Sequence, residues 1–378
     1  MTSRPMIGVV GLGTMGLGIA QVYAQAGFEV LATDANAAAR DSAAARLADV
    51  LQPRVTAGKM TEEQRNSILS HFRVTGAVDD LGGAGLVIEA IVERLDAKQA
   101  LFSALEQILA PDAVLATNTS SLSVGAIAGR LQHPGRVLGL HFFNPAPVMK
   151  LVELVAHGGT SDVALALARA PTEAAGKTVI GCNDRPGFIV NRCARPFYGE
   201  ALALLEEGRS ASDIDAAMVA AGYRIGPLSL IDLIGADVHL AATEGVWQAM
   251  DRHPRYHVFD ALTRQVKEGN LGRKSGRGFV YPEKPGAPPP DTELIVQRIE
   301  ATLANEAASL QGEGSVDETP IDTALMLGLN FPQGPLARAR ARGVGSVIAT
   351  LSQLSGSAPP HLAGRYDAVP ALMSLKNS

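Results

Sequence analysis

A glycine-rich turn near the amino terminus constrains the fold of this chain more than any other feature. The motif GLGTMG (11–16) lies between an apolar run, MIGVV (6–10), and a helical pattern, IAQVYAQAG (19–27). A second strand-like run, FEVLATD (28–34), completes a strand-helix-strand unit. The glycines allow a tight turn and a close approach of the backbone to a pyrophosphate that faces a helix N terminus. The pattern predicts a dinucleotide-binding α/β domain.

The cofactor is predicted to be NAD. Asp34 ends the second strand, where its carboxylate can accept hydrogen bonds from a ribose and would repel a 2′-phosphate. Arg40 is interpreted as a solvated helix charge. A strand-helix turn without a ligand, and a carboxylate that only caps a turn, are the structural alternatives for these two features. The predicted contacts in the first turn are Gly11, Gly13, Thr14, Met15 and Gly16.

Further short apolar runs predict that the first domain is a Rossmann-like, doubly wound sheet. Continuous Val, Leu and Ile runs of this length are typical of strands that are buried on both faces. A helical hairpin over residues 37–70, with a capping box from Thr61 to Gln64, precedes them. The runs are LVIEA (86–90), AVLATN (113–118), RVLGLH (136–141), LVELV (151–155) and KTVIG (177–181).

After residue 187 the pattern becomes helical. The predicted domains are an NAD-binding Rossmann-like domain (1–187), an all-α domain (188–283), a proline-rich linker (284–291) and a second, truncated helical repeat (292–378). The last segment resembles the helical domain in sequence, which predicts an internal duplication. EALALLEEG (200–208) matches EAASLQGEG (306–314), GPL (226–228) matches GPL (334–336), and RYHVFDAL (255–262) matches RYDAVPAL (365–372).

The charge, the cysteine content and the apolar runs of the chain indicate which partners and which cellular compartment to expect. A net charge of -5 argues against a nucleic-acid surface, which needs an excess of Lys and Arg. Cys182 and Cys193 are too few for a disulfide framework and favour a reducing compartment. The chain has neither a recognisable signal peptide nor an apolar run long enough to span a membrane, so a cytoplasmic location and no membrane partner are expected.

A candidate proton-transfer pair lies near the end of the predicted sheet. His141 ends the run RVLGLH, and ligands of open α/β sheets lie beyond the carboxyl ends of the strands. An imidazole can take a hydroxyl proton near neutral pH. Glu153, in the next run, could orient the imidazole and stabilise its cation. By spacing alone, a purely structural pair is the equal alternative.

These segments together resemble the L-3-hydroxyacyl-CoA dehydrogenase family. The resemblance is carried, in order, by GLGTMGLGIA (11–20), LVIEAIVERLDAKQALF (86–102), ATNTSSL (116–122), HFFNPAPVMKLVE (141–153), RPGFIVNRC (185–193) and LGRKSGRGF (271–279). It implies an NAD-dependent oxidoreductase of fatty acid metabolism, such as β-oxidation, that converts an L-3-hydroxyacyl-CoA to the 3-oxoacyl-CoA. A dehydrogenase of a related small 3-hydroxy acid, and a non-catalytic, crystallin-like NAD-binding protein, are the competing interpretations.

The resemblance also implies roles for individual residues. His141 would be the general base and Glu153 its partner. Ser120 would donate a hydrogen bond to the substrate oxygen, and Asn191 would help to place His141 and the substrate carbonyl. For Ser120, a helix cap is an equal alternative. Asn144 would support the same substrate network. The remaining cofactor contacts would be Glu93, Lys98 and Asn118.

One segment departs from the family pattern. The hairpin that usually presents a serine and basic residues to CoA reads DVLQPRVTAGKM (49–60) here, and Pro53 is predicted to interrupt its helix. Arg54 and Lys59 are the available substitutes for the CoA contacts. Single-copy members of the family dimerise through the helical domain, so the second repeat predicts a monomer with an internal pseudo-dimer, or a weak homodimer.

Overall fold

The computed structural model describes residues 4–375, and the chain divides into two compact units, Met1–Arg185 and Pro186–Ser378. The first unit contains an eight-stranded sheet of order β3-β2-β1-β4-β5-β6-β7-β8. Only the pair β6 and β7 is antiparallel among the strands described. The strands are β1 (Ile7–Val10), β2 (Val30–Thr33), β3 (Phe72–Val74), β4 (Leu86–Glu89), β5 (Val114–Thr117), β6 (Val137–Phe142), β7 (Leu151–Ala156) and β8 (Thr178–Asn183).

Helices connect these strands. They are α1 (Thr14–Gln25), α2 (Ala37–Thr56), α3 (Glu62–Ser70), α4 (Leu95–Ile108), α5 (Val124–Ala128) and α6 (Asp162–Ala174). Strands β1, β2, β4 and β5 are buried at every position, as expected for runs of Val, Leu and Ile that are covered on both faces. The predicted doubly wound α/β domain is confirmed.

Local details of the helical hairpin differ from the sequence-based expectation in two places. Helix α2 continues through Pro53 to Thr56, so the predicted interruption at Pro53 is wrong. Pro53 lies in the last turn, where the loss of one backbone hydrogen bond disturbs only the end of the helix. The edge strand β3 was not predicted, because three residues give too short a pattern. The capping box between Thr61 and Gln64 is present, with hydrogen bonds of 2.9 and 3.2 Å.

The second unit is built from helices. They are α7 (Val190–Cys193), α8 (Arg195–Glu206), α9 (Ala211–Ala220), α10 (Pro227–Ile234), α11 (Ala236–Ala249), α12 (Asp260–Lys267), α13 (Thr292–Gly312), α14 (Glu318–Leu329), α15 (Pro335–Arg342), α16 (Val344–Ser357) and α17 (Pro370–Leu375). The predicted change from an α/β to a helical region is therefore confirmed. Over residues 4–375, no helix combines the length and the apolar character that a membrane span requires.

The two predicted helical segments, 188–283 and 292–378, lie within this single compact unit. Helix α13 packs against α8 and α9 of the first segment and against α15, α16 and α17 of the second. The division of the unit into two domains that arose by duplication stays a prediction, to which the Discussion returns.

Buried ion pairs join the two segments. Glu306 on α13 accepts hydrogen bonds from Arg192 at 2.7 Å and from Tyr256 at 2.6 Å. Glu200 on α8 accepts hydrogen bonds from Arg298 at 2.6 Å and from Tyr366 at 2.9 Å. Each segment thus supplies one glutamate to an arginine and a tyrosine of the other.

Candidate functional site

The glycine turn after β1 has three glycines with different surroundings. A Cβ on Gly11, whose φ is +100°, would lie 2.5 Å from the carbonyl oxygen of Ala90, and a Cβ on Gly16 would lie 1.7 Å from that of Gly11. Both glycines are therefore required by the packing of the backbone. A Cβ on Gly13 would meet no atom of the described residues, 4–375, within 4 Å. The space beside Gly13 is open, as a cradle for a pyrophosphate requires.

Helix α1 begins at this open space. Gly13 is its N-cap and supplies no side-chain hydrogen bond, so the first backbone N–H groups have no cap from that residue. Thr14 is exposed and Met15 is half-buried in the first turn. An N terminus of this kind favours an anionic group through its N–H donors and the helix dipole. These residues fit the diphosphate of NAD.

Asp34 lies beside the turn, at the end of β2. Its Oδ2 accepts a hydrogen bond from the Leu12 backbone at 2.7 Å, and its Oδ1 accepts one from the Asn36 backbone at 2.8 Å. Each carboxylate oxygen has a further lone pair, so the group can still accept a ribose hydroxyl. Arg40 donates to the backbone carbonyl of Asp34 at 2.6 Å, which differs from the solvated charge predicted for it.

A network of carboxylates and a buried lysine lies at the ends of β4 and β5. The Lys98 ammonium group, 1% exposed, lies 2.5 Å from a Glu89 oxygen and 3.1 Å from a Glu93 oxygen. Glu93 also accepts hydrogen bonds from the Thr119 hydroxyl at 2.5 Å and from the Ser120 backbone at 3.1 Å. Burial alone would raise the pKa of Glu93, but the charge of Lys98 and these hydrogen bonds hold that pKa below its usual value. The predicted residues Glu93, Lys98 and Ser120 are thus brought together.

Glu89 also holds this network and was not predicted as a site residue. Besides Lys98, it accepts hydrogen bonds from the Ile91 backbone at 2.7 Å and from the Thr117 hydroxyl at 2.8 Å. It is fully buried. Its place at the end of a strand, four residues before Glu93, is the signal that could have identified it.

His141 and Glu153 face each other across the antiparallel pair of strands β6 and β7. The register pairs these two residues directly. The Nδ1 of His141 lies 2.7 Å from a carboxylate oxygen of Glu153, and both side chains are buried. The predicted pair is therefore formed. A histidine held by a carboxylate at one ring nitrogen has its orientation and its tautomer fixed.

Asn118 and Phe143 lie against this pair. The amide oxygen of Asn118 accepts a hydrogen bond from the Phe142 backbone at 2.8 Å, which ties the end of β5 to the residue after His141. The ring of Phe143 lies 4.6 Å from the imidazole of His141, centroid to centroid. Asn144 follows on the exposed part of the same loop.

The substitutes predicted for the CoA contacts lie in one turn at the tip of the α2–α3 hairpin. Arg54 and Lys59 are both exposed, and the Lys59 backbone donates to the Arg54 carbonyl at 2.8 Å. The turn therefore presents two positive charges on the surface of the first unit.

Asn191 belongs to the second unit. It lies in the short helix α7, and its backbone carbonyl accepts a hydrogen bond of 2.8 Å from Nε of Arg195. Arg195 is buried, and the sequence analysis did not include it, because an arginine near a helix start is usually solvated.

The two cysteines lie in the interior of the protein. Cys182 and Cys193 are both buried, and burial raises the pKa of the Cys182 thiol. Within residues 4–375, no cluster of three or more His, Cys, Asp or Glu residues is arranged to hold a metal ion.

The two units match the profiles of two domains that belong to the same protein family. The profile of the 3-hydroxyacyl-CoA dehydrogenase NAD-binding domain matches residues 6–185. The profile of the 3-hydroxyacyl-CoA dehydrogenase C-terminal domain matches residues 187–281 and residues 294–372. The two matched regions adjoin at the boundary between the two units.

Individual relatives agree with this grouping. The chain is 40% identical to a 3-hydroxyadipyl-CoA dehydrogenase of Escherichia coli, over 94% of its own length and 73% of the relative's. It is 41% identical to a 3-hydroxybutyryl-CoA dehydrogenase of Mycobacterium tuberculosis, over 72% of its length and 96% of the relative's. A crystal structure of 3-hydroxybutyryl-CoA dehydrogenase from E. coli superimposes with a TM-score of 0.92 at 32% identity, covering 99% of this chain and 98% of that one.

Proposed function

The chain belongs to the 3-hydroxyacyl-CoA dehydrogenase family and is an NAD-dependent oxidoreductase, and we propose that it oxidises an L-3-hydroxyacyl-CoA through the pair His141 and Glu153. The observation that carries this proposal is the buried 2.7 Å contact between the imidazole and the carboxylate. The products would be a 3-oxoacyl-CoA and NADH. The names of the relatives supply the acyl-CoA substrate class.

His141 acts as the general base in this proposal. Oxidation of the alcohol removes a proton from the C3 hydroxyl group while the C3–H bond breaks. His141 takes the proton at Nε2, because its Nδ1 is held by Glu153. In the reverse direction the imidazolium returns the proton to the oxygen of the 3-oxo group.

Glu153 stabilises the imidazolium that forms. Its carboxylate is buried, so the attraction between the two charges is screened less than it would be in water. The rigid pairing of β6 and β7 keeps the ring oriented before the substrate arrives, which lowers the cost of reorganisation.

Other residues would position the substrate. We propose that the Ser120 hydroxyl and the Asn191 side chain bind the oxygen atoms of the acyl group, and that Asn144 supports this network. Glu93 contributes to the placement of Ser120 through its hydrogen bond to the Ser120 backbone.

NAD, when bound, accepts the hydride from C3. Gly11, Gly13, Thr14, Met15 and Gly16 would hold its diphosphate, and Asp34 would accept the adenosine ribose hydroxyls. Glu93, Lys98 and Asn118 would line the nicotinamide side. Buried Lys98 helps to keep the Glu93 carboxylate in place, and its single positive charge is shared between Glu93 and Glu89.

Steady-state formation of NADH tests the proposal. The full-length protein should oxidise L-3-hydroxyacyl-CoA thioesters of short or medium chain length with NAD and should be much slower with the matching free 3-hydroxy acids. Faster turnover of the free acids would instead favour a dehydrogenase of small 3-hydroxy acids, as the altered hairpin at residues 49–60 first suggested. NAD binding without NADH formation from any of these compounds would contradict an enzymatic function.

A further inference from the structure

A buried arginine in the second unit has no acidic partner among residues 4–375. Arg195, the first residue of α8, is 7% exposed. Its Nε donates to the Asn191 carbonyl at 2.8 Å and its Nη1 donates to the Thr243 hydroxyl at 3.0 Å. Both acceptors are neutral, and Nη2 donates to no atom of residues 4–375. No carboxylate of the described residues therefore compensates the positive charge of Arg195, whose guanidinium carbon lies 5.2 Å from the centre of the Tyr198 ring.

Other arginines of the same unit show how unusual this is. Arg192, Arg298 and Arg365 are each paired with at least one glutamate. A buried charge without a partner costs several kcal/mol, so it persists where a ligand or a function requires it. Consistently, burial lowers the pKa of Arg195, and the group that opposes this shift is the ionisable hydroxyl of Tyr198 rather than a carboxylate.

Arg195 lines a small cavity of about 10 Å³, room for one water molecule or one carboxylate oxygen. His239 and Thr243 line the same cavity, and its described lining contains no Asp or Glu. Arg255 also lines it but is paired with Glu306 at 3.2 Å. The cavity thus offers hydrogen-bond donors and one unpaired positive charge, which together suit an anion.

The second helical segment shows that the fold does not require these polar groups. The offset of 106 residues that relates Glu200 to Glu306 relates Arg195 to Ala301. The offset of 108 that relates Gly235 to Gly343 relates His239 to Val347 and Thr243 to Leu351. All three counterparts are apolar and buried: Ala301, Val347 and Leu351. A polar cavity in the first segment alone indicates a ligand rather than a packing need.

We propose that Arg195 determines substrate specificity by binding the terminal carboxylate of the acyl chain, so that the preferred substrate is a CoA thioester of a 3-hydroxy dicarboxylic acid. This inference rests on the proposed function, which places Asn191 beside the substrate. Arg195 contacts the backbone of Asn191, so in the proposed complex an anion bound by Arg195 would lie near the acyl group. The CoA phosphates are separated from the thioester by the whole pantetheine arm, so they are not the anion expected beside Asn191.

Two thioesters of equal chain length test the inference. The second-order rate constant kcat/KM is measured for 3-hydroxyadipyl-CoA, which ends in a carboxylate, and for 3-hydroxyhexanoyl-CoA, which ends in a methyl group. The unmodified protein should prefer the carboxylate by at least roughly tenfold, the effect of one hydrogen bond to a charged group. This comparison needs no variant.

The variant Arg195→Met should reduce that preference roughly tenfold to hundredfold, and Arg195→Lys should retain part of it. The apolar counterparts in the second segment indicate that Met fits the site, and a melting curve checks that the variant is folded. Arg264→Met is the matched control, because it removes an exposed arginine from α12. Its preference should equal that of the unmodified protein.

The outcomes separate this inference from the proposed function. If neither thioester is oxidised, the proposed function fails. If both are oxidised equally well, or if folded Arg195→Met keeps the full preference, the proposed function stands and the role of Arg195 is overturned.

Discussion

At the scale of single residues, the buried contact between His141 and Glu153 carries the chemistry. The sequence placed these residues in neighbouring strand-like runs, and the antiparallel register of β6 and β7 brings their side chains to 2.7 Å. The same strands could have paired with a shift of one residue, which would have turned one of the two side chains to the opposite face. The sequence therefore identified the residues, and the register formed the pair.

We expect His141→Gln and Glu153→Gln each to reduce kcat by roughly a hundredfold to ten-thousandfold, because general acid-base groups contribute about that much. NAD affinity, measured by fluorescence titration, should change little, since neither residue belongs to the glycine turn. Near-normal turnover in both variants would remove the proposed mechanism. A parallel loss of NAD binding would show that the substitutions disturb the fold.

At the scale of elements, the glycines in the turn between β1 and α1 have two different predicted roles. Some are required by backbone packing, and one faces the cofactor. Gly16→Ala should destabilise the protein by about 1–3 kcal/mol or more, because its Cβ would overlap the Gly11 carbonyl oxygen. Gly13→Ala should leave the melting temperature nearly unchanged, since no atom in the described part of the chain lies within 4 Å of the added Cβ. The dissociation constant of the Gly13→Ala variant for NAD should rise roughly tenfold, which corresponds to a loss of about 1.4 kcal/mol in binding free energy.

Thermal melting and NAD titration of both variants check this distinction. The two glycines serve as controls for each other, because the added methyl group is the same. Equal losses of stability at both positions, or unchanged NAD affinity in Gly13→Ala, would contradict a ligand cradle at Gly13.

The hairpin of α2 and α3 is the second element with a testable role. Its exposed tip presents Arg54 and Lys59 where the resembled family presents other basic residues to CoA. Replacing both with alanine should raise KM for an acyl-CoA roughly threefold to tenfold, as expected for two exposed charge contacts of up to about 1 kcal/mol each. A substrate truncated to pantetheine lacks the phosphates, so its KM should change little. Equal effects on both substrates would dismiss this CoA contact.

At the scale of the whole molecule, the two segments of the second unit exchange matching contacts. Arg192, Glu200 and Tyr256 of the first segment correspond in sequence to Arg298, Glu306 and Tyr366 of the second. Glu306 bonds to the arginine and the tyrosine of the first segment, and Glu200 bonds to those of the second. Reciprocal contacts of this kind define a twofold interface. We propose that residues 292–378 are a duplicate of the helical domain that carries no catalytic group.

Truncation after residue 285 tests this proposal. The shortened chain has nearly the extent of the M. tuberculosis relative, which aligns with 72% of this chain over 96% of its own length. Truncation would expose an interface for which roughly 800 Å² per partner is usual. Since both partners would supply the same arginine, glutamate and tyrosine, the truncated chain should form a homodimer, whereas the full-length chain should be a monomer or a weak dimer.

Light scattering measures both states. In the truncated chain, Glu200→Gln should weaken the dimer, because Glu200 would replace Glu306 in the contact with the partner. Exposed Glu62→Gln, on the hairpin of the first unit, is the control and should not affect it. A truncated chain that stays monomeric, folded and fully active would show that the second segment covers nothing important.

Local patterns in the sequence were sufficient to predict the doubly wound domain, the helical unit and the glycine turn after β1. Strand runs, glycine turns and helical periodicity reflect backbone preferences and burial that extend over a few residues. Asp34, His141 and Glu153 could be identified for the same reason, since each lies at a recognisable position in a strand. Pro53 was misjudged because the cost of a proline depends on how much of the helix follows it.

Contacts between distant segments could be decided only by the tertiary structure. Glu89 joins the carboxylate network because β4 lies between β1 and β5, which places its side chain beside Thr117 and Lys98. Arg195 lacks an acidic partner because the segment that packs on it supplies Thr243, from a helix some distance along the chain. The energy of a charge depends on all the groups that surround it after folding, and a linear pattern does not contain that information.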